Sequence, residues 1–416
     1  MSRVISRFLQ LDTGLRSCSK VVISPPVVAS NVPHMPMEVI IHILDFAHRA
    51  EGGKPDVNLL KASSLVCKEW SIISQKLLFR HVNLRSKADY TVFREAVDRS
   101  TPRGRALGDS VVHLDCVVDT KQPQGLTNAA FVNAVTLCPN LGELRLTSYG
   151  IFMDDSAGEQ SKASTAIFDE KMLSALRTGP QINSLCFDNW TSRHDALWQL
   201  LDIWPSLESL TVGGIQASMP PTTTQMAIPA FKKLAINIQT SSANDMFKVL
   251  SSNSFGSLRV LEFQREPSKE LIDYFLTTYG PSLTSFALPS CASPGRAAAL
   301  LHCTRLRELR IESPGVLPSV LRGLPTTLQD LSIGVDRSTA IPCLAQAIKN
   351  GSELVRVTVH VALQQERLPQ LSPIKIACAL RGVQLEVARS QYIDRSTSRS
   401  ISWSTGELRL LKSSKI

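Results

Sequence analysis

"CPNLGELRL", residues 138–146, decides the fold, because its frame returns down the chain. Cys138-Pro139-Asn140-Leu141 leads into Leu144 and Leu146, Gly179-Pro180-Gln181-Ile182 into Leu185 and Phe187, and Trp204-Pro205-Ser206-Leu207 into Leu210 and Val212. The same spacing recurs at Leu258/Leu261/Phe263, Leu283/Phe286/Leu288, Leu306/Leu309/Ile311, Leu328/Leu331/Ile333 and Leu354/Val357/Val359. Weaker copies sit at Val111/Leu114/Cys116, Phe231/Leu234/Ile236 and Leu380/Val383/Leu385. From Leu141 the starts lie 41, 25, 24, 27, 25, 23, 22, 26 and 26 residues apart. Apolar triplets are common by chance; a near-constant interval is the signature of a repeat architecture.

Pro or Gly stands two places before the first apolar residue in five copies, at 139, 180, 205, 256 and 281. Between copies lie short amphipathic segments such as FDEKMLSALRTG (168–179), HDALWQLLDIW (194–204) and ELIDYFLTTYG (270–280). Each unit is therefore expected to be a strand, a turn and a helix. One unit cannot bury its own apolar face, whereas a stack of them buries a continuous core. The one long interval holds SYGIFMDDSAGEQSKAST (148–165), which reads as an inserted polar loop.

The body from about 110 to 388 resembles leucine-rich repeat proteins over roughly 270 residues, with irregular copies and no fixed Asn or Cys landmark. The resemblance implies an α/β solenoid, preceded here by a small all-α block, which gives an α+β chain overall. Five regions follow: a basic tail expected to be disordered (1–33), a helical block (34–82), a linker or first helix of the array (83–109), the repeats (110–388) and a Ser/Arg-rich tail also expected to be disordered (389–416).

In the helical block, Met35-Pro36-Met37-Glu38 is a helix start, since Pro suits the first turn and an acid favours the positive helix end. Val39, Ile40, Ile43, Leu44 and Ala47 repeat at three-to-four spacing, and Ile41 and Phe46 widen the stripe. A second helix is expected after Asp56 or Asn58, and Leu65, Val66, Trp70, Ile73 and Leu77 continue the apolar face. Some fifty residues with this much apolar surface form a marginal core, so the surplus suggests a docking face. The plainer alternative is that these helices cap the repeats.

This block is similar to the F-box family, which opens with Leu-Pro-x-Glu and an Ile/Leu-rich helix. The family then runs to Val-Cys-basic-x-Trp and ends on a Leu/Phe-rich stretch. The chain carries Met35-Pro36-Met37-Glu38, Ile40, Ile43-Leu44, Leu59-Leu60, Leu65-Val66-Cys67-Lys68-Glu69-Trp70 and Leu77-Leu78-Phe79. It departs in Met35 for Leu and in a longer link, HRAEGGKPDVN (48–58). The resemblance implies docking to the Skp-type adaptor of a cullin ubiquitin ligase, with Met35, Pro36, Ile40, Leu44, Leu65, Val66 and Trp70 as the contact residues.

Composition narrows the classes further. Nine cysteines without a C-x-x-C pair or metal spacing read as reduced core thiols of an intracellular protein, cytoplasmic or nuclear. No apolar run reaches the 18 or so residues of a membrane span. The tails hold +7 of the net charge of +9, so the repeats are nearly neutral. Five Tyr and five Trp are too few for nucleobase stacking platforms, which leaves nucleic-acid binding through the basic tails as a minor reading. Residues 1–20 are acid-poor and Arg-containing, compatible with a mitochondrial presequence or, more simply, a basic tail.

No G-x-S-x-G elbow, Walker loop, dinucleotide fingerprint or H-E-x-x-H occurs, so neither catalysis nor a cofactor is expected. In the repeats, the third, fifth and seventh positions of each copy should face outward and line the concave side of an arc. The charged residues there are Glu143, Arg145, Asp188, Lys233, Glu262, Glu308, Arg310, Glu312, Asp330, Arg356 and Glu386. They form a mixed, slightly acidic face, unlike a phosphate-binding groove. It reads either as a site for a protein target or as a solvated surface. The expected function is recruitment of a target to a ubiquitin ligase; the alternative is a leucine-rich scaffold acting outside one.

Overall fold

The computed structural model describes residues 35–47, 56–150, 168–191, 195–219, 227–238, 244–291, 300–314, 316–362 and 371–390. The N-terminal tail, the C-terminal tail from 391, the link at 48–55 and the expected loop from 151 onward lie outside them. The described residues form two compact units, 1–151 with 169–181, and 152–168 with 182–416. Together they carry twelve strands and thirteen α-helices, with strand and helix alternating for most of the chain.

The first unit opens with α1 (Met37–Ala47), α2 (Val57–Ser63) and α3 (Lys68–Phe79). Asp56 caps α2, its carboxylate accepting from the N–H groups of Asn58 and Leu59 at 3.0 Å each. After α3 a single residue, Arg80, leads into β1 (His81–Leu84). That strand straddles the expected boundary at 82, so the array begins inside what the sequence suggested was the helical block. Helices α4 (Lys87–Ala96) and α5 (Pro102–Gly108), β2 (His113–Asp119), α6 (Asn128–Thr136), β3 (Glu143–Tyr149) and α7 (Glu170–Arg177) complete the unit. Strands β1 to β3 pair in parallel, with Val82, Leu114 and Leu144 in register and all buried.

In the second unit nine parallel strands pair in chain order: β4 (Ser184–Trp190), β5 (Ser209–Gly214), β6 (Lys233–Asn237), β7 (Val260–Phe263), β8 (Ser285–Leu288), β9 (Glu308–Ile311), β10 (Asp330–Val335), β11 (Arg356–Ala362) and β12 (Gln384–Ser390). Helices follow most strands: α8 (Ala196–Ile203), α9 (Asn244–Ser251), α10 (Lys269–Tyr279), α11 (Pro318–Arg322), α12 (Ile341–Asn350) and α13 (Ser372–Arg381). Parallel neighbours need such crossovers, and the result is a parallel α/β repeat array.

Register places Leu185, Leu210, Leu234, Leu261, Phe286, Leu309, Leu331 and Val357 in one fully buried ladder. The last copy corrects the expected frame by two residues: Leu385, not Val383, pairs with Val357, and Val387 pairs with Val359. Leu380, expected to open that copy, belongs to α13, which ends on Gly382 in the left-handed conformation (φ 66°).

Strands β2, β3 and β5 to β11 are entered through the same backbone fork, in which two successive N–H groups point at one carbonyl of the preceding repeat. Arg259 and Val260 point at Lys232, Thr284 and Ser285 at Arg259, and Arg307 and Glu308 at Thr284. A hydroxyl just before the first apolar residue adds a second tie. Ser206, Ser257, Ser282 and Thr327 donate to the carbonyls of Ile182, Phe231, Leu258 and Leu306 at 3.4, 3.0, 2.8 and 2.7 Å. These bonds satisfy polar groups that a stack of short units would otherwise bury unpaired.

Candidate docking surfaces

Helix α1 carries one polar stripe, Glu38, His42 and Asp45, and is apolar over the rest of its circumference, which packing divides further. Ile40 and Leu44, four apart, are buried against Ile73 of α3, with Trp70 and Leu77 packed on the cluster. Ile40 and Leu44, expected as adaptor contacts, form the intramolecular core of the helix pair, Leu44 being only 1% exposed. Trp70 is half-buried against the same cluster. Met35 and Pro36 are exposed, and the carbonyl of Pro36 accepts the first helical bonds, from Val39 and Ile40 at 3.1 and 3.3 Å.

The other stripes face outward. Val39, Ile43 and Phe46 are exposed, Phe46 to 87%. Met37 and Ile41 join Ile72, Ile73, Lys76 and Leu77 around a groove of about 250 Å³ between α1 and α3. In the turn between α2 and α3, Leu65 and Val66 are exposed to 72% and 64%. Nine large apolar side chains between residues 35 and 72 are thus in contact with solvent among the described residues, more than isolated exposed hydrophobes explain. The exposed residues not among the sequence candidates are Met37, Val39, Ile41, Ile43, Phe46 and Ile72. The polar stripe of Glu38, His42 and Asp45 marks Ile40 and Leu44, opposite it, as inward, but spacing does not say that the flanking apolar residues stay uncovered.

The block is tied to the array behind it. The Arg80 carbonyl accepts from the N–H groups of Val112 and His113 at 3.1 and 2.9 Å, and the Arg103 guanidinium donates to Gln75 of α3 at 3.2 Å. An Arg80–Asp45 ion pair at 3.8 Å joins α1 to the same corner.

No known protein family matches this sequence, and no curated protein matches it. Among solved structures, a chain from the crystal structure of the TLR13–ssRNA13 complex is similar at a TM-score of 0.34 and 11% identity. The alignment covers 68% of this chain and 40% of that one, so this chain spans about two fifths of that neighbour's length.

On the outward faces of the strands, charges meet partners across the ladder. In the first unit the rings of His81 and His113 stack at 4.3 Å, and His113 Nδ1 lies 2.8 Å from the Glu143 carboxylate. Arg145 stands near Asp115, whose carboxyl is pushed above its ordinary value by burial, with Arg145 and Arg85 opposing.

In the second unit Ser285 donates to Glu308 at 2.9 Å, and Arg356 faces Asp330 at 3.6 Å, an ion pair longer than a hydrogen bond. Ser332 and His360 share a 2.6 Å hydrogen bond, and burial lowers the His360 imidazole's affinity for a proton despite nearby Glu312. Glu262 and Arg310 are flanked in register by Ala235, Ala287 and Ser332, and Lys233 by Ser209 and Val260. Both rows leave these longer side chains standing above short ones.

Asp188 is corrected from an outward to a buried residue. Alternation ends before the strand does, so Phe187, Asp188 and Asn189 are all buried. The Asp188 carboxylate occupies the space that a side chain at Gly213 would need, which is why the neighbouring strand carries glycine there. Among the described residues no cluster of His, Cys, Asp and Glu suits a metal ion. Nor is any described helix long and apolar enough to cross a membrane.

Proposed function

We propose that this protein recruits a protein target to a cullin-type ubiquitin ligase, its N-terminal helices seating a Skp-type adaptor. The observation that carries the reading is the exposed apolar surface on α1, the α2–α3 turn and the groove beside Ile72. Surface of that kind in a soluble unit is most economically explained by another chain that covers it. The F-box-like order of residues from Met35 to Phe79 gives that chain its identity. The adaptor contact then moves to Met37, Ile41, Phe46, Leu65, Val66 and Ile72, with Ile40 and Leu44 holding the helix in place.

The outward strand face is the target site in this proposal. Glu262 and Arg310, rising beside small neighbours, are the residues best placed to pair with a target of mixed charge. The protein performs no chemistry itself; holding the target near the ubiquitin-carrying enzyme raises effective concentration. Co-purification with recombinant adaptor and cullin tests it. Recovery of both supports the ligase role, and recovery of neither ends it.

A second reading, a leucine-rich scaffold whose helices simply cap the repeats, draws on the one-residue join between α3 and β1. It expects at most adaptor in the same experiment, and no cullin.

A further inference from the structure

The last strand leaves core positions uncovered. Val387 of β12 is 43% exposed, whereas the residues at the same register position in the three preceding strands, Val359, Ile333 and Ile311, are at 0%, 0% and 1%. Leu385 is half-buried where Val357 is fully buried. On α13, Ile376 and Leu380, one helical turn apart, are exposed to 57% and 72%. Among the described residues β12 pairs on one side only, with β11. A parallel edge with an apolar flank is a template for one more strand.

The chain itself contains a matching sequence. Residues 406–410 read Gly-Glu-Leu-Arg-Leu, identical to 142–146, which enter and form β3 with Leu144 and Leu146 both buried. Glu407 follows Gln384 by 23 residues, within the 22 to 28 that separate register-matched residues from Ser209 to Gln384. In that frame Leu408 and Leu410 fall on the Leu385 and Val387 rows. Ser404 takes the place of the tying hydroxyls Ser206, Ser257, Ser282 and Thr327. Arg409 comes beside Glu386, as Arg356 stands beside Asp330.

We propose that the open edge of β12 is the docking site of residues 404–411 of the same chain, which add a thirteenth parallel strand and cover Val387. Sequence identity, register interval, charge pairing and the uncovered apolar row agree on this one occupant. It replaces the expectation that the whole of 389–416 is an unstructured tail.

Hydrogen exchange on the full-length protein, read by mass spectrometry across a dilution series, tests it. The amides of 406–411 should exchange on the order of 100-fold more slowly than in an unstructured peptide, at every concentration. A Leu408→Asp/Leu410→Asp variant, its circular dichroism otherwise preserved, should lose that protection and also speed exchange at 385–388. Unprotected 406–411 in the full-length protein overturns the proposal. So does protection that disappears on dilution together with a dimer, since a second copy is then the occupant.

Discussion

Replacing Phe46 and Leu44 separately distinguishes a docking surface from a core. Leu44 is 1% exposed and packs on Ile73, so Leu44→Ala removes buried methyl groups and leaves a cavity, at a cost of about 2–5 kcal/mol in stability. Phe46 is 87% exposed, and Phe46→Ala should change stability by no more than about 0.5 kcal/mol. If an adaptor covers that ring, its loss removes about 2 kcal/mol of binding, roughly 30-fold in Kd. The assay pairs urea denaturation of the free protein with calorimetric titration of purified Skp-type adaptor. Phe255, 77% exposed in the other unit, supplies the control: Phe255→Ala should leave adaptor affinity unchanged. The reasoning fails if Phe46→Ala and Val66→Ser both retain full affinity in protein that is fully folded. It also fails if the Phe255 control weakens binding equally, which would mark nonspecific adhesion.

Three further measurements check particular parts of the structure. Gly214 has φ +85° and presses on the backbone of Asn189, so Gly214→Ala should cost more than about 2 kcal/mol, against about 1 kcal/mol for Gly256→Ala, where φ is +76° but the space is open; urea midpoints compare them. Cys67 is exposed, whereas burial pushes the thiols of Cys138 and Cys303 up to about 12 and Cys291 to about 11. Maleimide labelling mapped by mass spectrometry should therefore modify Cys67 in the native protein, and those three only on unfolding. His360 holds its proton less tightly folded than unfolded, because burial penalises the imidazolium. The unfolded chain binds more protons just below the ordinary imidazole range, so stability should fall as pH drops through it, and His360→Phe should flatten that slope in urea melts.

The strand frame was legible because it depends on two simple regularities, a period of two within a strand and a repeat of 22 to 28 residues between strands. It slipped where another element carried the same residue type. Leu380 fits the opening of a strand copy, yet it ends a helix whose stop, Gly382, is encoded in backbone freedom that hydrophobic spacing does not register. Asp188 was misplaced for a different reason: it keeps its register opposite Gly213, but its carboxylate lies over that glycine and is buried there, which alternation does not foresee. The tying hydroxyls were present in the sequence at Ser206, Ser257, Ser282 and Thr327, but a reading tuned to apolar residues passes over them. In α1 the polar stripe of Glu38, His42 and Asp45 already sets Ile40 and Leu44 inward, but which of the flanking apolar residues remain uncovered depends on how α3 packs, which spacing does not register.

The same geometry bears on when α1 is ordered. Eleven residues are below the length at which an isolated helix persists in water. What holds α1 to its unit is the burial of Ile40 and Leu44 on Ile73, with the partly exposed Asp45–Arg80 pair adding little. Helix α3, by contrast, leads through Arg80 into β1, where the Arg80 carbonyl accepts from Val112 and His113, and its Gln75 accepts from Arg103 of α5. The two should therefore differ in opening free energy, α1 lying near the low end and α3 near the global value. A partner that covers Met37, Ile41 and Phe46 binds only the ordered helix, so its binding raises α1 protection by mass action while leaving α3 nearly unchanged. Amide exchange of 38–47 and 70–79, with and without adaptor, measures this. Equal protection of the two helices in the free protein would show that two buried side chains suffice to lock α1, and would remove the link between its order and docking.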